Sequence, residues 1–182
     1  KGSMLALLGV SIREIENLIK ELNSSKICEI ANDNAEGQII VSGDKDCLDD
    51  LQQLLKKNKI KYIPLKVSAP FHCSLMKPAA ESMREKINNT NFTKPKKEII
   101  TNVTAKGEDD FKKIKKLLID QIFSTVKWRE SLNYMSENGI KNYIEIGPGK
   151  ALSGMVKRTI KNDFNCFSVN SIDDMKKIEN EI

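Results

Sequence analysis

Ile27-Cys28-Glu29-Ile30-Ala31-Asn32-Asp33-Asn34-Ala35-Glu36-Gly37-Gln38-Ile39-Ile40-Val41-Ser42 reads as two extended runs around a polar turn. Ile27 to Ala31 is strand-like, Asn32 to Gly37 is crowded with turn formers, and Gln38 to Ser42 is rich in β-branched residues. The stretch therefore predicts a hairpin. A strand and a helix lie on each side of it. Upstream, Ser3 to Gly9 is a short apolar run ended by glycine, readable as a buried strand. Ser11 then stands three residues before Glu14, the spacing of a capping box, and Ile12, Ile15, Leu18, Ile19 and Leu22 keep one helical stripe. Downstream, Asp44 occupies a helix-cap position ahead of Leu48, Leu51, Leu54 and Leu55, and Lys61 to Val67 forms a fourth strand. The order β-α-β-β-α-β is the ferredoxin-like pattern, and it predicts a small subdomain over residues 3–67.

The rest of the chain, residues 68–182, alternates helix and strand. Helices are expected over Leu75 to Ile87, Asp109 to Phe123, Trp128 to Ser136, Ala151 to Ile160 and Ser171 to Ile182. Strands are expected over Glu98 to Val103, Ile140 to Ile146 and Phe164 to Val169. That alternation argues for part of a parallel α/β domain, so the fold class is α/β with a ferredoxin-like subdomain attached. Between the two parts lies the only histidine, His72, in Val67-Ser68-Ala69-Pro70-Phe71-His72-Cys73-Ser74. Pro70 biases Ala69 away from helical geometry, so the chain turns there. A histidine at a strand-to-helix junction can reach into a cleft and shuttle protons near neutral pH.

Composition narrows the classes. No apolar run approaches the roughly 20 residues of a membrane helix, and the start shows no signal-peptide pattern, so a cytoplasmic location is the default expectation. Cys28, Cys47, Cys73 and Cys166 are too widely spaced for a metal knuckle, and one histidine cannot complete such a set. The net charge of +5 is concentrated in lysines such as Lys94, Lys96, Lys97, Lys112, Lys113, Lys115 and Lys116. Aromatics at 5% and the absence of a nucleic-acid motif argue against nucleic acid, whereas an acidic protein partner fits the charge.

Four motifs carry a resemblance. Ser68-Ala69-Pro70-Phe71-His72-Cys73-Ser74-Leu75-Met76-Lys77-Pro78 and the E-x-G-P-G-x-x-L stretch Glu145 to Leu152 are two of them. Val126-Lys127-Trp128 and Gly37-Gln38-Ile39-Ile40-Val41-Ser42-Gly43 are the others. In this order and spacing they resemble the malonyl-CoA:acyl carrier protein transacylases over nearly the whole chain. The resemblance implies malonyl transfer from coenzyme A to acyl carrier protein in fatty acid biosynthesis, through a serine ester. It implies malonyl-CoA as substrate, acyl carrier protein as partner, and no cofactor, nucleic acid or membrane. It makes His72 the general base and the main-chain carbonyl of Gln121 its orienting acceptor. It places Phe71 and Asn34 at the substrate, Phe71 against the malonyl α-carbon. Gly147 and Gly149 precede a helix, but Lys150 is followed by Ala151, so Gly-Pro-Gly is read as a tight connection and not a phosphate loop.

One departure matters. The family's G-H-S-x-G elbow and its malonate-binding arginine have no counterpart here, since no G-x-S-x-G occurs and the single histidine precludes another G-H-S. The expectation is a chain resembling roughly the last 60% of such an enzyme by this motif spacing. It should be unable to form the acyl-enzyme alone, with part of its sheet uncovered. The alternative is a non-catalytic ferredoxin-like module that binds an acidic protein or RNA.

Overall fold

In the computed structural model, which describes residues 2–179, the four strands expected over the first third pair as one antiparallel sheet. They are β1 (Gly2–Leu8), β2 (Cys28–Ala35), β3 (Gln38–Asp44) and β4 (Lys61–Pro64), in the spatial order β2-β3-β1-β4. Helices α1 (Ile12–Glu21) and α2 (Lys45–Lys57) complete the ferredoxin-like topology. Register explains the core. Leu5 lies opposite Val41 and Leu7 opposite Ile39, so these four side chains share a face. They pack with Ile15 and Leu18 of α1 and Leu48, Leu51 and Leu55 of α2. Each such burial contributes about 1.5–3 kcal/mol. Met4 and Ala6, on the other face of β1, are buried too. A strand covered on both faces needs a continuous apolar run, and Met4 to Leu8 is one.

The capping box at Ser11 and Glu14 forms as expected. Two details of the hairpin and its following helix differ from expectation. The polar run Asn32 to Ala35 is strand, and the turn contracts to Glu36 and Gly37, with Gly37 at φ 69°. Register shifts between Ile30 and Asn32, and again between Asp33 and Ala35, absorb the turn-forming residues as bulges. Asp44 stands at the N-cap of α2 but does not cap it, because its carboxylate accepts from the Ile27 amide at 2.8 Å. The fourth strand ends early, at Pro64, which has no N–H to donate.

Beyond the sheet come a single 3₁₀ turn at Ser74–Met76 and α3 (Lys77–Asn89). The hairpin β5 (Ile99–Ile100) with β6 (Gly107–Glu108) follows, and then α4 (Phe111–Asp120) and α5 (Trp128–Glu137). The strand expected over Glu98 to Val103 is only two residues long, because Thr101 to Lys106 closes a turn in which Ala105 donates to the Thr101 carbonyl. Residues 124–126 run beside β2: Val126 donates to the Ala31 carbonyl at 2.8 Å, and Asp33 donates to the Val126 carbonyl at 2.9 Å.

The chain groups into two compact units, one up to Ser131 and one from Leu132. Residues 68–131 group with the sheet in the first unit, and α5 spans the division. In the second unit β7 (Asn142–Ile146) and β8 (Asn165–Val169) pair in parallel, joined by α6 (Ala151–Thr159) and followed by α7 (Ile172–Glu179). This pair is the parallel α/β part. The last three residues of the helix expected to reach Ile182 lie outside the described residues. No helix among the described residues is long and apolar enough to cross a membrane.

Candidate active site

The turn that carries His72 is pinned to the sheet at three points. The Pro70 ring sits where any side chain at residue 2 would be, which explains glycine at the start of β1. The Cys73 thiol accepts from the Ser42 hydroxyl of β3 at 3.6 Å and reaches the Pro70 carbonyl at 3.2 Å. Glu29 of β2 accepts from both the Ser74 amide, at 2.8 Å, and the Ser74 hydroxyl. These contacts hold His72 at φ 59°, a left-handed conformation uncommon outside glycine and most tolerated by Asn, Asp and His.

Within this frame Nδ1 of His72 lies 2.8 Å from the main-chain oxygen of Gln121. A carbonyl only accepts, so Nδ1 carries the proton and Nε2 presents its lone pair. Gln121 is the C-cap of α4, a ten-residue helix opened by the Asp110 side chain. The last carbonyls of a helix have no partner inside it, which leaves this oxygen free for an imidazole. The two residues expected to act together are therefore in contact, 49 positions apart in the chain.

Phe71 precedes the base and is 38% exposed, whereas Asn34 lies on the bulged end of β2 and is 8% exposed. The motif residue Val126 pairs in parallel with Asn32, so the V-x-W segment meets the Asn32-Asp33-Asn34 run through its backbone. Between the asparagines, Asp33 is buried and receives a fork from Arg129 with contacts of 2.9–3.0 Å. Cys73 is buried and burial pushes its thiol up, which opposes the thiolate a nucleophile needs. Burial likewise pushes Cys28 up to about 12. Sequence reasoning passed over Glu29, Asp33 and Arg129. Asp33 and Arg129 are 96 positions apart, and no local pattern joins them.

In the second unit, Glu145 explains its own motif. Its carboxylate accepts from the Leu152 amide at 3.1 Å, the Ser153 amide at 2.7 Å and the Ser153 hydroxyl at 2.6 Å. It therefore caps α6, and the Ser153 bonds hold its pKa below the usual carboxylate range. Gly147 at φ 131° and Gly149 at φ 94° make the connection tight enough for this reach. The first amides of α6 are occupied by the chain's own carboxylate and so are not an anion site, as the Gly-Pro-Gly reading expected.

No family model matches the chain. Among curated proteins it is 40% identical, over 177 residues and 96% of its length, to a malonyl CoA-acyl carrier protein transacylase of Staphylococcus aureus. Among solved structures it resembles an acyl-carrier-protein-S-malonyltransferase from Bartonella henselae with a TM-score of 0.94 and 34% identity, covering 100% of this chain and 58% of that one. A malonyl-transacylase solved in complex with a type II polyketide acyl-carrier protein matches at a TM-score of 0.91 and 30% identity, over 98% of this chain and 58% of that one. The chain is a homologue of the malonyl CoA-acyl carrier protein transacylases and spans about 57% of the length of the curated relatives it matches.

Proposed function

We propose that this chain supplies the general base of a malonyl-CoA:acyl carrier protein acyltransferase. The observation that carries the reading is the 2.8 Å contact between His72 Nδ1 and the Gln121 carbonyl. A base must offer a lone pair, and that contact leaves it on Nε2. In the first half-reaction Nε2 takes the proton of a serine hydroxyl as its oxygen attacks the malonyl thioester carbon. The tetrahedral oxyanion collapses, the C–S bond breaks, and the same proton leaves with the coenzyme A sulfur. In the second, the phosphopantetheine thiol of acyl carrier protein gives its proton to Nε2 and attacks the serine ester. Collapse breaks the C–O bond and returns the proton to serine. Gln121 keeps the ring in the working tautomer through both halves, and its carbonyl dipole stabilises the transient imidazolium.

Malonyl-CoA is the substrate in this proposal, and no resident cofactor takes part. The relative solved with an acyl-carrier protein supports such a carrier as partner, and the net charge of +5 favours an acidic one. Phe71, adjacent to the base and partly exposed, is proposed to border the malonyl α-carbon, and Asn34 to line the same region from β2. Phe71→Ser in the complete protein should relax the preference for malonyl over methylmalonyl by about 1–3 kcal/mol, the span one methyl group commands. Unchanged selectivity would remove Phe71 from that role. The mechanism itself is tested by intact mass. The complete protein should take up one malonyl group on a serine, and label that survives replacement of that serine contradicts the pathway.

A further inference from the structure

We propose that Asn102 is a positioning residue for His72, acting through the side chain of Gln121. The inference rests on the reading of His72 as a base, but its geometry stands apart from that reading. The Asn102 amide donates from Nδ2 to Gln121 Oε1 at 2.9 Å. Asn102 is itself fixed on both sides. Its carbonyl accepts from the Lys127 amide at 2.9 Å, in the segment leading from Val126 to Trp128. Its turn is closed by the Ala105 amide on the Thr101 carbonyl at 2.9 Å and by the Thr101 and Thr104 hydroxyls at 2.7 Å.

Gln121 thus has three anchors. Its amide donates to the Leu117 carbonyl at 3.0 Å, its side chain is held by Asn102, and its carbonyl holds the imidazole. As a helix C-cap it lies where α4 stops imposing geometry, and helix ends fray. Packing does not replace the missing constraint. A cavity of about 200 Å³, lined by Ile99, Ile114, Leu117 and Leu118, borders both Asn102 and Gln121. A side chain beside open volume is restrained by its hydrogen bonds and not by its neighbours' bulk. Releasing the Asn102 bond leaves the peptide that carries the Gln121 carbonyl held only through the Ile122 amide, which donates to the Ile119 carbonyl at 3.2 Å, so the carbonyl can tilt off the Nδ1 proton. The bond also gives a reason for glutamine at a position whose only role toward His72 is played by its main chain.

The experiment uses the one imidazole in this chain, whose ring nitrogens give a single unambiguous pair of ¹⁵N signals. Spectra are taken well above the pH at which imidazoles titrate, where the ring is neutral. The wild-type chain should show Nδ1 protonated. Asn102→Leu should raise the Nε2–H to Nδ1–H tautomer ratio about two- to tenfold, the change one neutral hydrogen bond commands. Gln121→Leu, which cuts the same bond from the other end and keeps the carbonyl, should shift the ratio equally. Asn102→Asp should restore the wild-type ratio, because the Gln121 amide can turn and donate to the carboxylate. A ratio unmoved by either leucine variant in folded protein overturns the proposal, as does Asn102→Asp behaving like Asn102→Leu. If one leucine variant does not fold, the other decides. The base reading fails differently: the tautomer shifts as expected, yet His72→Ala in the complete protein, still folded, leaves kcat for malonyl transfer unchanged.

Discussion

At the scale of single residues, the structure separates groups that hold the site from groups that work in it. Asp33 and Arg129 are the clearest of the first kind. The side chain of Asp33 is 3% exposed and that of Arg129 is 35% exposed, so the two ends of the pair are not equivalent. Arg129→Ala strands a buried carboxylate and should cost about 3–5 kcal/mol. Asp33→Ala leaves a guanidinium that water can still reach, and should cost less than half as much. Urea unfolding of the two variants measures the asymmetry, and equal losses would contradict it. His72 is the group proposed here for the second kind. Its left-handed backbone, held by Pro70, Cys73 and Ser74, places the ring, and the helix-end carbonyl of Gln121 sets which nitrogen is free.

At the scale of elements, the ferredoxin-like half was legible because its strands and helices follow strict periods and its capping box is local. The N-D-N run reads as a turn in the sequence because bulges break the alternation by which a strand is recognised, and turn-forming residues fill the extra positions. Asp44 has the residue type of a cap but spends its carboxylate on Ile27, a partner 17 positions away that no window contains. His72 and Gln121 were found through motif resemblance. Asn102 was not, since its bond joins a hairpin turn to a helix end. The Glu145 clasp on α6 has a pH signature. Its pKa is lowered in the fold from 4.5, so its contribution is present above that value and fades as pH falls through the lower, folded one. Glu145→Gln should therefore show a smaller loss of Tm on acidification below 4.5 than the parent chain. An identical acid slope in both would assign the effect elsewhere, to Glu14 or Asp174 for example, whose carboxylates are also held low by their capping serines.

At the scale of the whole molecule, two features bear on what this chain does by itself. The first is chemical. The chain has no G-x-S-x-G nucleophile to set beside the proposed base His72, so it should acquire no malonyl label from malonyl-CoA when incubated alone. A stoichiometric adduct would show that another residue acts as nucleophile. The second is physical. In the second unit Ile146 is 82% exposed and, with Ile144, Val169, Met175 and Ile178, lines an open apolar groove of about 450 Å³. A side chain that exposed buries little in the folded chain, so Ile146→Glu should leave stability within about 0.5 kcal/mol while raising soluble yield. A drop of several degrees in Tm would mean that the groove is closed in solution.

The proton acceptor is tested most directly by the steady-state rate of malonyl transfer to acyl carrier protein in the complete protein, with His72 replaced by alanine. Removing a positioned general base should lower kcat/KM by about 10²–10⁴-fold with the fold intact by circular dichroism. A His72→Ala protein that is properly folded and retains kcat/KM within about threefold of the parent would contradict the assignment.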